Sequence, residues 1–488
     1  MKEGTVKRSI TLAAAALAVV ALVGVAQARN PHCAGGIQYV SQAMHDKEKG
    51  NLEDYRREIN KAVDQLQQCA TEDPNDFEAI GYLGWAYAEV DSSRLAGEAF
   101  AKSIEGLKQK DPKKVEWASQ NRESYWATAF NDGIAKINAA QSIYLDFLKE
   151  PASDADKTMK EEARKNYNLA LTSLTRASLL KPGDPKTMRN LGSVYAFMGQ
   201  FDAAERTFKA GLQAAPNDSA LAVSLKSVRS NAAGQLVDQK KYDEAIALYA
   251  ELIKSDPSNS GLHLGLADAY FKRAQSKKGD AARPDYKLAG DEYAAAAKFK
   301  PTEADLPFNA ALSYQNGGDC KSAEPQWRQA LKLRPGDQDA ISALGQCLAD
   351  LGQYDAAIQL LWDGVNASPK NKVFHRQLGS VYTKADNTAK SSEEFMIFLA
   401  LENGQPSADA KAAAKSAKGA RGQTFASAGE PDEVVPWDLK GDKIESWFYW
   451  SKKQAYHFKG DVLTLKSDWS APALKSGGGT SPSGAVKK

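Results

Sequence analysis

Residues 185–218 read PKTMRNLGSVYAFMGQFDAAERTFKAGLQAAPND. Leu191, Gly192 and Tyr195 fall on one face of a first helix, with Gly199 at its end. Ala204, Phe208 and Gly211 line a second helix, and Pro216 closes the unit. Two antiparallel helices in close contact need these residue types. Gly or Ala must stand where the backbones cross, Tyr195 and Phe208 fill the space beside the crossing, and Pro cannot continue the second helix.

The pattern returns with a period of 34 residues. Ala311, Tyr314, Gly318, Ala323, Trp327, Ala330 and Pro335 carry it over 304–337, and Leu344, Gly345, Gly352, Ala357, Leu361, Gly364 and Pro369 carry it over 338–371. Weaker copies include Leu83, Gly84, Tyr87, Ala96 and Phe100, with the proline delayed to Pro112. Others are Tyr242, Ala245, Tyr249 and Pro257; Leu266, Ala267, Tyr270, Ala289, Tyr293, Ala296 and Pro301, widened by a polar loop from Ser276 to Asp285; and Leu378, Gly379, Tyr382 and Phe395. Residue for residue, the motif resembles the tetratricopeptide repeat. The resemblance implies an all-α fold, a right-handed solenoid of about nine helix pairs over 29–405, with the first helix of each pair lining a concave face.

Between Val115 and Pro182 the pattern loosens. Trp126 to Phe147 reads as a longer first helix and Ala170, Leu174, Ala177 and Pro182 as a normal second one. The insertion between them, about 148–160, is expected to project as a loop, either a plain bulge or a docking element. Residues 406–424 are rich in Ala and Lys and read as a polar capping helix or a linker. Composition then changes: Trp437, Trp447, Phe448, Tyr449, Trp450, Tyr456 and Phe458 crowd together. Glu445 to Trp450, Ala455 to Lys459 and Val462 to Leu465 read as a three-stranded meander, giving a small α+β domain over 425–466. Its G-x-P-D-x-V (429–434), E-x-W-x-Y (445–449) and Y-x-F-x-G (456–460) elements loosely resemble the SmpA/OmlA outer-membrane assembly lipoproteins. Trp447, Tyr449 and Phe458 are expected in its core, with Phe448 and Trp450 facing outward or onto the solenoid. Residues 467–488 (SDWSAPALKSGGGTSPSGAVKK) read as a disordered tail.

The chain has 488 residues, 43% hydrophobic and 25% charged, which excludes wholesale disorder and a multispan membrane protein. Its 63 Lys plus Arg against 61 Asp plus Glu leave +2, so no overall basic field draws in nucleic acid. His32, His45, His263, His375 and His457 are scattered without metal-ligand spacing, and no G-x-S-x-G, H-E-x-x-H or P-loop motif occurs. The expectation is therefore no metal, no cofactor and no enzyme activity; an enzyme accessory subunit is a minor alternative.

Lys2, Lys7 and Arg8 precede the uncharged run Ile10 to Val25 and Ala26-Gln27-Ala28, the pattern of a signal peptide over 1–28. Cleavage after Ala28 would deliver a periplasmic or secreted chain with no integral membrane span. The alternative is an uncleaved helix that anchors it. Cys320 starts a second helix where other copies carry Phe201, Tyr242 or Tyr354, and Cys347 lies late in the next first helix. These departures fall at facing slots, which argues for a Cys320 to Cys347 bond; Cys33 and Cys69 are then expected to join the opening segment to the first helical pair. Four free thiols are the alternative.

Together these readings describe a non-enzymatic interaction scaffold of the bacterial envelope. Candidate partner-binding residues on the first helices, carried over from the repeat resemblance, are Arg189, Asn190 and Ser193; Phe308, Asn309 and Leu312; Ser342 and Gln346; and Arg376, Ser380 and Lys384. Arg189 beside Asn190 would suit a carboxylate. The second reading is an assembly factor whose C-terminal domain contacts an outer-membrane complex.

Overall fold

The computed structural model describes residues 29–144 and 147–469. The expected signal peptide and residues 470–488 of the expected tail lie outside them. The chain divides at Arg229 and Ser230 into two compact units.

In the first unit eight helices pair in chain order: α1 (Pro31–Glu48) with α2 (Leu52–Glu72), α3 (Phe77–Glu89) with α4 (Ser93–Lys110), α5 (Pro112–Ile143) with α6 (Asp154–Leu180), and α7 (Pro185–Phe197) with α8 (Phe201–Ala214). Helix α9 (Ser219–Asp238) runs through the division. The second unit continues with α10 (Tyr242–Ser255), α11 (Ser260–Gln275), α12 (Arg283–Phe299), α13 (Asp305–Asn316), α14 (Cys320–Leu333), α15 (Gln338–Asp350), α16 (Tyr354–Ala367), α17 (Lys372–Lys384) and α18 (Thr388–Asn403). No helix among the described residues is long and apolar enough to cross a membrane.

The small residues of the motif do what close packing requires. A Cβ on Gly192 would stand 2.4 Å from the Phe208 ring, and one on Gly345 would stand 2.8 Å from Leu361. Several first helices open on side-chain caps: Asp184 accepts from the Thr187 amide, Asp337 from Ala340 and Asn371 from Val373. The turn inside a pair needs one left-handed residue, which Gly199, Gly318 and Gly352 provide without strain and Asp91, Lys240 and Asp386 provide elsewhere. Cys33 is bonded to Cys69, tying α1 to α2, and Cys320 to Cys347, tying the start of α14 to α15.

A recurring polar strut accompanies this packing. His263 Nδ1 lies 2.6 Å from Glu292 Oε2 while its Nε2 lies 3.0 Å from the Pro257 carbonyl. His375 repeats the arrangement with Glu394 at 2.7 Å and the Pro369 carbonyl at 2.8 Å. Each imidazole thus links the proline that ends one pair to a helix of the next. The second strut has both side chains fully buried.

Four expectations are corrected. The insertion does not project as a separate loop: α6 begins at Asp154, capped by Ser153, and α5 already begins at Pro112, so most of the extra length extends a helix pair. The Ala/Lys-rich segment does not cap the last repeat. It forms α19 (Ala408–Ala414), with α20 (Gly419–Ala428) after it, and both pack on the sheet. The sheet has four strands: β1 (Glu433–Leu439), β2 (Asp442–Tyr449), β3 (Gln454–Lys459) and β4 (Val462–Asp468), antiparallel in the order β1-β2-β3-β4. The physical reason is burial on both sheet faces. Val434, Trp447, Tyr449, Tyr456 and Phe458 pack with Ala414 and Ala428 under the two short helices. Val435, Trp437, Ile444, Phe448 and Ala455 join the buried cluster of the last helix pairs. Ser467 to Trp469, expected in the tail, belong to this module: Ser467 is fully buried, Trp469 is 1% exposed, and its indole lies 6.1 Å from the His375 ring.

Between sheet and helices sits His457, fully buried, its Nδ1 2.8 Å from Ser446 Oγ and its Nε2 3.2 Å from Ser467 Oγ. Burial disfavours the imidazolium and pushes the pKa down to about 3. From about pH 6.5 downward the unfolded chain binds a proton that the native chain does not, so stability contributed by the neutral imidazole is lost as pH falls. Urea unfolding followed by Trp fluorescence is expected to lose about 2–3 kcal/mol between pH 6.5 and 4.5 from this group alone. In His457→Gln that increment should vanish; an identical acid dependence in both proteins would refute the assignment.

Candidate partner-binding faces of the two units

Phe308, Ser342 and Arg376 stand at one repeat position, as do Leu312, Gln346 and Ser380, each 34 residues apart on α13, α15 and α17. In the second unit this face grades from apolar to polar. Leu264, Phe271, Phe308 and Leu312 are half-buried and pack their inner sides on the core. Phe308 stands edge-on to Trp327 at 4.8 Å, with the Arg334 guanidinium 5.7 Å over its ring. Ser342 accepts from Gln377 (2.8 Å). Gln346 and Lys384 both donate to Asp350, at 2.9 and 2.8 Å. Arg376 is exposed and lies 6.0 Å over the Phe398 ring. The candidates therefore form a braced surface, in which Gln346 and Lys384 are brought together through an acid that sequence reasoning did not single out. Asn309 and Ser380 are half-buried on the same helices.

In the first unit Arg189, Asn190 and Ser193 are half-buried on α7. Asn190 donates to the Lys186 carbonyl of its own helix at 2.8 Å, so its amide is turned along α7 and is not paired with Arg189 for a carboxylate. Arg189 makes no ion pair among the described residues.

Sequence reasoning missed a more elaborate cluster. Glu89, at the end of α3, has a side chain only 6% exposed and accepts from Lys47 of α1 (2.5 Å), Tyr55 of α2 (2.5 Å) and Tyr125 of α5. Burial alone would raise its pKa, but these donors hold it below the usual carboxylate range. Burial and the Glu89 carboxylate both push the Tyr55 and Tyr125 hydroxyls up, so they remain donors. Beside it, Tyr82, Trp85 and Trp117 form an aromatic group, with Tyr82 and Trp117 centroids 4.6 Å apart. No local pattern announces either cluster, because their members come from separate helices. The Glu89 group ties α1, α2, α3 and α5 together through its hydrogen bonds, and both faces carry groups suited to recognition by hydrogen bonds, charge and apolar contact.

Comparison with known proteins agrees with the helix pairing. Family profiles of the tetratricopeptide repeat match residues 162–227, 236–282 and 308–371. The small glutamine-rich tetratricopeptide repeat-containing protein 2 of Mycosarcoma maydis is 28% identical over 127 residues, 26% of this chain and 36% of the relative, so the chain spans about a third of that relative's length. Among solved structures, YrrB, described as a TPR protein with an unusual peptide-binding site, is 20% identical with a TM-score of 0.31 over 40% of this chain and 92% of its own. MamA from Desulfovibrio magneticus RS-1 is 16% identical with a TM-score of 0.27 over 42% of this chain and 97% of its own. The chain carries tetratricopeptide repeats, of the kind that generally mediate protein–protein interaction.

Proposed function

We propose that this chain is an exported, non-enzymatic scaffold of the bacterial envelope that binds an extended segment of a partner protein on the first-helix face of its second unit. The observation that carries the reading is the graded face itself: half-buried Leu264, Phe271, Phe308 and Leu312 continue into Ser342, Gln346, Arg376 and Lys384. Such a surface suits a segment with an apolar end and an acidic end. Export is supported by the basic and apolar pattern of residues 1–28 and by the pairing of all four cysteines, which persists in oxidising compartments. Arg29, first after the proposed cleavage, is clasped by Asp76 through two 2.7 Å contacts and approaches Glu78 at 3.2 Å.

A second reading rests on a separate observation. Strand β4 is an edge of the sheet, and Val462 and Leu463 on it are 65% and 38% exposed. An edge strand with exposed apolar side chains at its start is suited to an added strand, which fits an assembly factor acting through the C-terminal module. Photo-crosslinkers at Leu312 and Gln346, and separately at Val462, discriminate the two in envelope fractions of the native host. Crosslinks to one defined partner from the helix positions, weakened about tenfold by Leu312→Glu, are expected. Crosslinking from Val462 alone would replace the first reading with the second. The intact mass of the same material tests export: it should begin at Arg29 with no thiol free before reduction, and a mass retaining Met1 would overturn it.

A further inference from the structure

The two edges of the sheet differ. On β1, Pro436 has no N–H to offer, the Ser407 amide bonds the Val434 carbonyl at 2.9 Å, and a Cβ on Gly404 would stand 2.3 Å from Val435. That edge is closed. On β4 only the last turn of the ladder is closed, where Glu393 accepts from the Asp468 amide and Lys390 donates to the Asp468 carbonyl. From Val462 to Lys466 no backbone group bonds to anything outside the pairing with β3, among the described residues.

A lysine on an open edge repels an added strand unless that strand brings an acid to meet it. Residues 461–466, DVLTLK, supply the acid themselves. Two copies of this segment running antiparallel set Asp461 of one against Lys466 of the other, Val462 against Leu465, and Leu463 against Thr464. The faces agree as well. Thr464 has no partner on β3, and this bulge puts Val462 and Leu465, opposite Lys459 and His457, on one face, with Leu463 and Lys466, opposite Phe458 and Tyr456, on the other. Slipping the strands by two residues would set Asp461 against Asp468, which like charge opposes.

The side chains are available for this contact. The Arg421 guanidinium bonds Asp461 through Oδ1 alone, at 2.8 and 3.1 Å, and the Asp461 side chain is 60% exposed. Lys466 makes no ion pair among the described residues and lies 5.4 Å over the Tyr456 ring. Val462 and Leu463 are the exposed apolar residues already noted on this strand.

We infer that β4 pairs antiparallel with β4 of a second copy of this chain across a two-fold axis, joining two four-stranded sheets edge to edge. The inference rests on the reading that β4 accepts an added strand, and it names that strand. So short a ladder is small beside the roughly 1,600 Å² that a stable interface buries, so a dissociation constant on the order of 10–100 μM is expected.

The test is sedimentation velocity on the purified full chain over a wide concentration range. A reversible monomer–dimer equilibrium is expected. Lys466→Glu alone and Asp461→Lys alone should each weaken it about tenfold or more, because each sets like charges against one another at both ends of the ladder. An equimolar mixture of the two variants should recover the native association, since each then meets the opposite charge. Should Asp461→Lys fail to fold, Val462→Glu takes its place as the second disrupting variant. A chain that stays monomeric at the highest concentration, or one whose association is untouched by these substitutions, would overturn the inference. Crosslinks from Val462 separate the readings: crosslinks to another copy of the chain support the dimer, whereas crosslinks to a different protein by a chain that is monomeric when purified overturn the dimer and leave strand addition standing.

Discussion

Ending the chain after Asn403 is expected to leave the last helix pairs unable to remain folded in solution. The β module covers them: Val435, Ile444, Phe448, Ala455 and Trp469 share one buried cluster with Trp362, Phe374, Leu378, Ile397 and Ala400. Polar contacts fix the position, with Lys390 donating to the Asp468 carbonyl at 2.8 Å, Asp468 N–H to Glu393 at 3.1 Å, and Lys370 paired with Glu433. Each large apolar side chain returned to water costs about 1.5–3 kcal/mol, so removing the module costs on the order of 5 kcal/mol or more. That is comparable to the whole stability of an ordinary domain, about 5–15 kcal/mol. Size-exclusion chromatography and thermal unfolding of residues 29–403 should therefore give aggregation or a markedly lowered transition; a monomer with the full-length midpoint would show that the sheet is not the cap. The result bears on function as well. Deleting the module damages the repeats, so loss of partner binding after such a deletion does not locate the site, whereas point substitutions on β4 or on α13 do.

His375→Ala should be the most damaging single substitution among the repeat histidines. Removing the imidazole strands Glu394, which is fully buried and whose Oε1 already has no hydrogen-bond partner among the described residues. An uncompensated buried charge costs about 3–5 kcal/mol, enough to lower the thermal midpoint by on the order of 10 °C. The companion strut is the control: His263 and Glu292 are 11% and 25% exposed in their side chains, water can screen the orphaned acid, and His263→Ala should cost clearly less. Replacing both members, His375→Leu with Glu394→Met, should recover most of the loss, because removing the charge together with its partner leaves no group to desolvate. Equal losses in His375→Ala and His263→Ala would reject the reading.

The repeats were legible because their physics is local and recurrent. Gly192 under Phe208, Gly345 under Leu361, and the prolines at 216, 335 and 369 act within one helix pair, so a 34-residue period records them directly. The same register placed Cys320 and Cys347 at facing slots, and it placed Phe308, Ser342 and Arg376 at one position of successive first helices. Composition separated the aromatic C-terminal segment, and alternation placed Trp447, Tyr449 and Phe458 on one side and Phe448 on the other. What alternation left open was the identity of the cover on each side. Tertiary structure decided that α19 and α20 take one face and the last helix pairs the other, that Trp469 is core, and that the insertion lengthens helices. It also decided which polar groups meet: Glu89 with Lys47, Tyr55 and Tyr125, His375 with Glu394, and Arg176 with Asp91. Hydrophobic periodicity reports the angle at which a side chain leaves its own helix, whereas these contacts depend on how different helices are stacked, a relation that the spacing of residues along the chain does not encode.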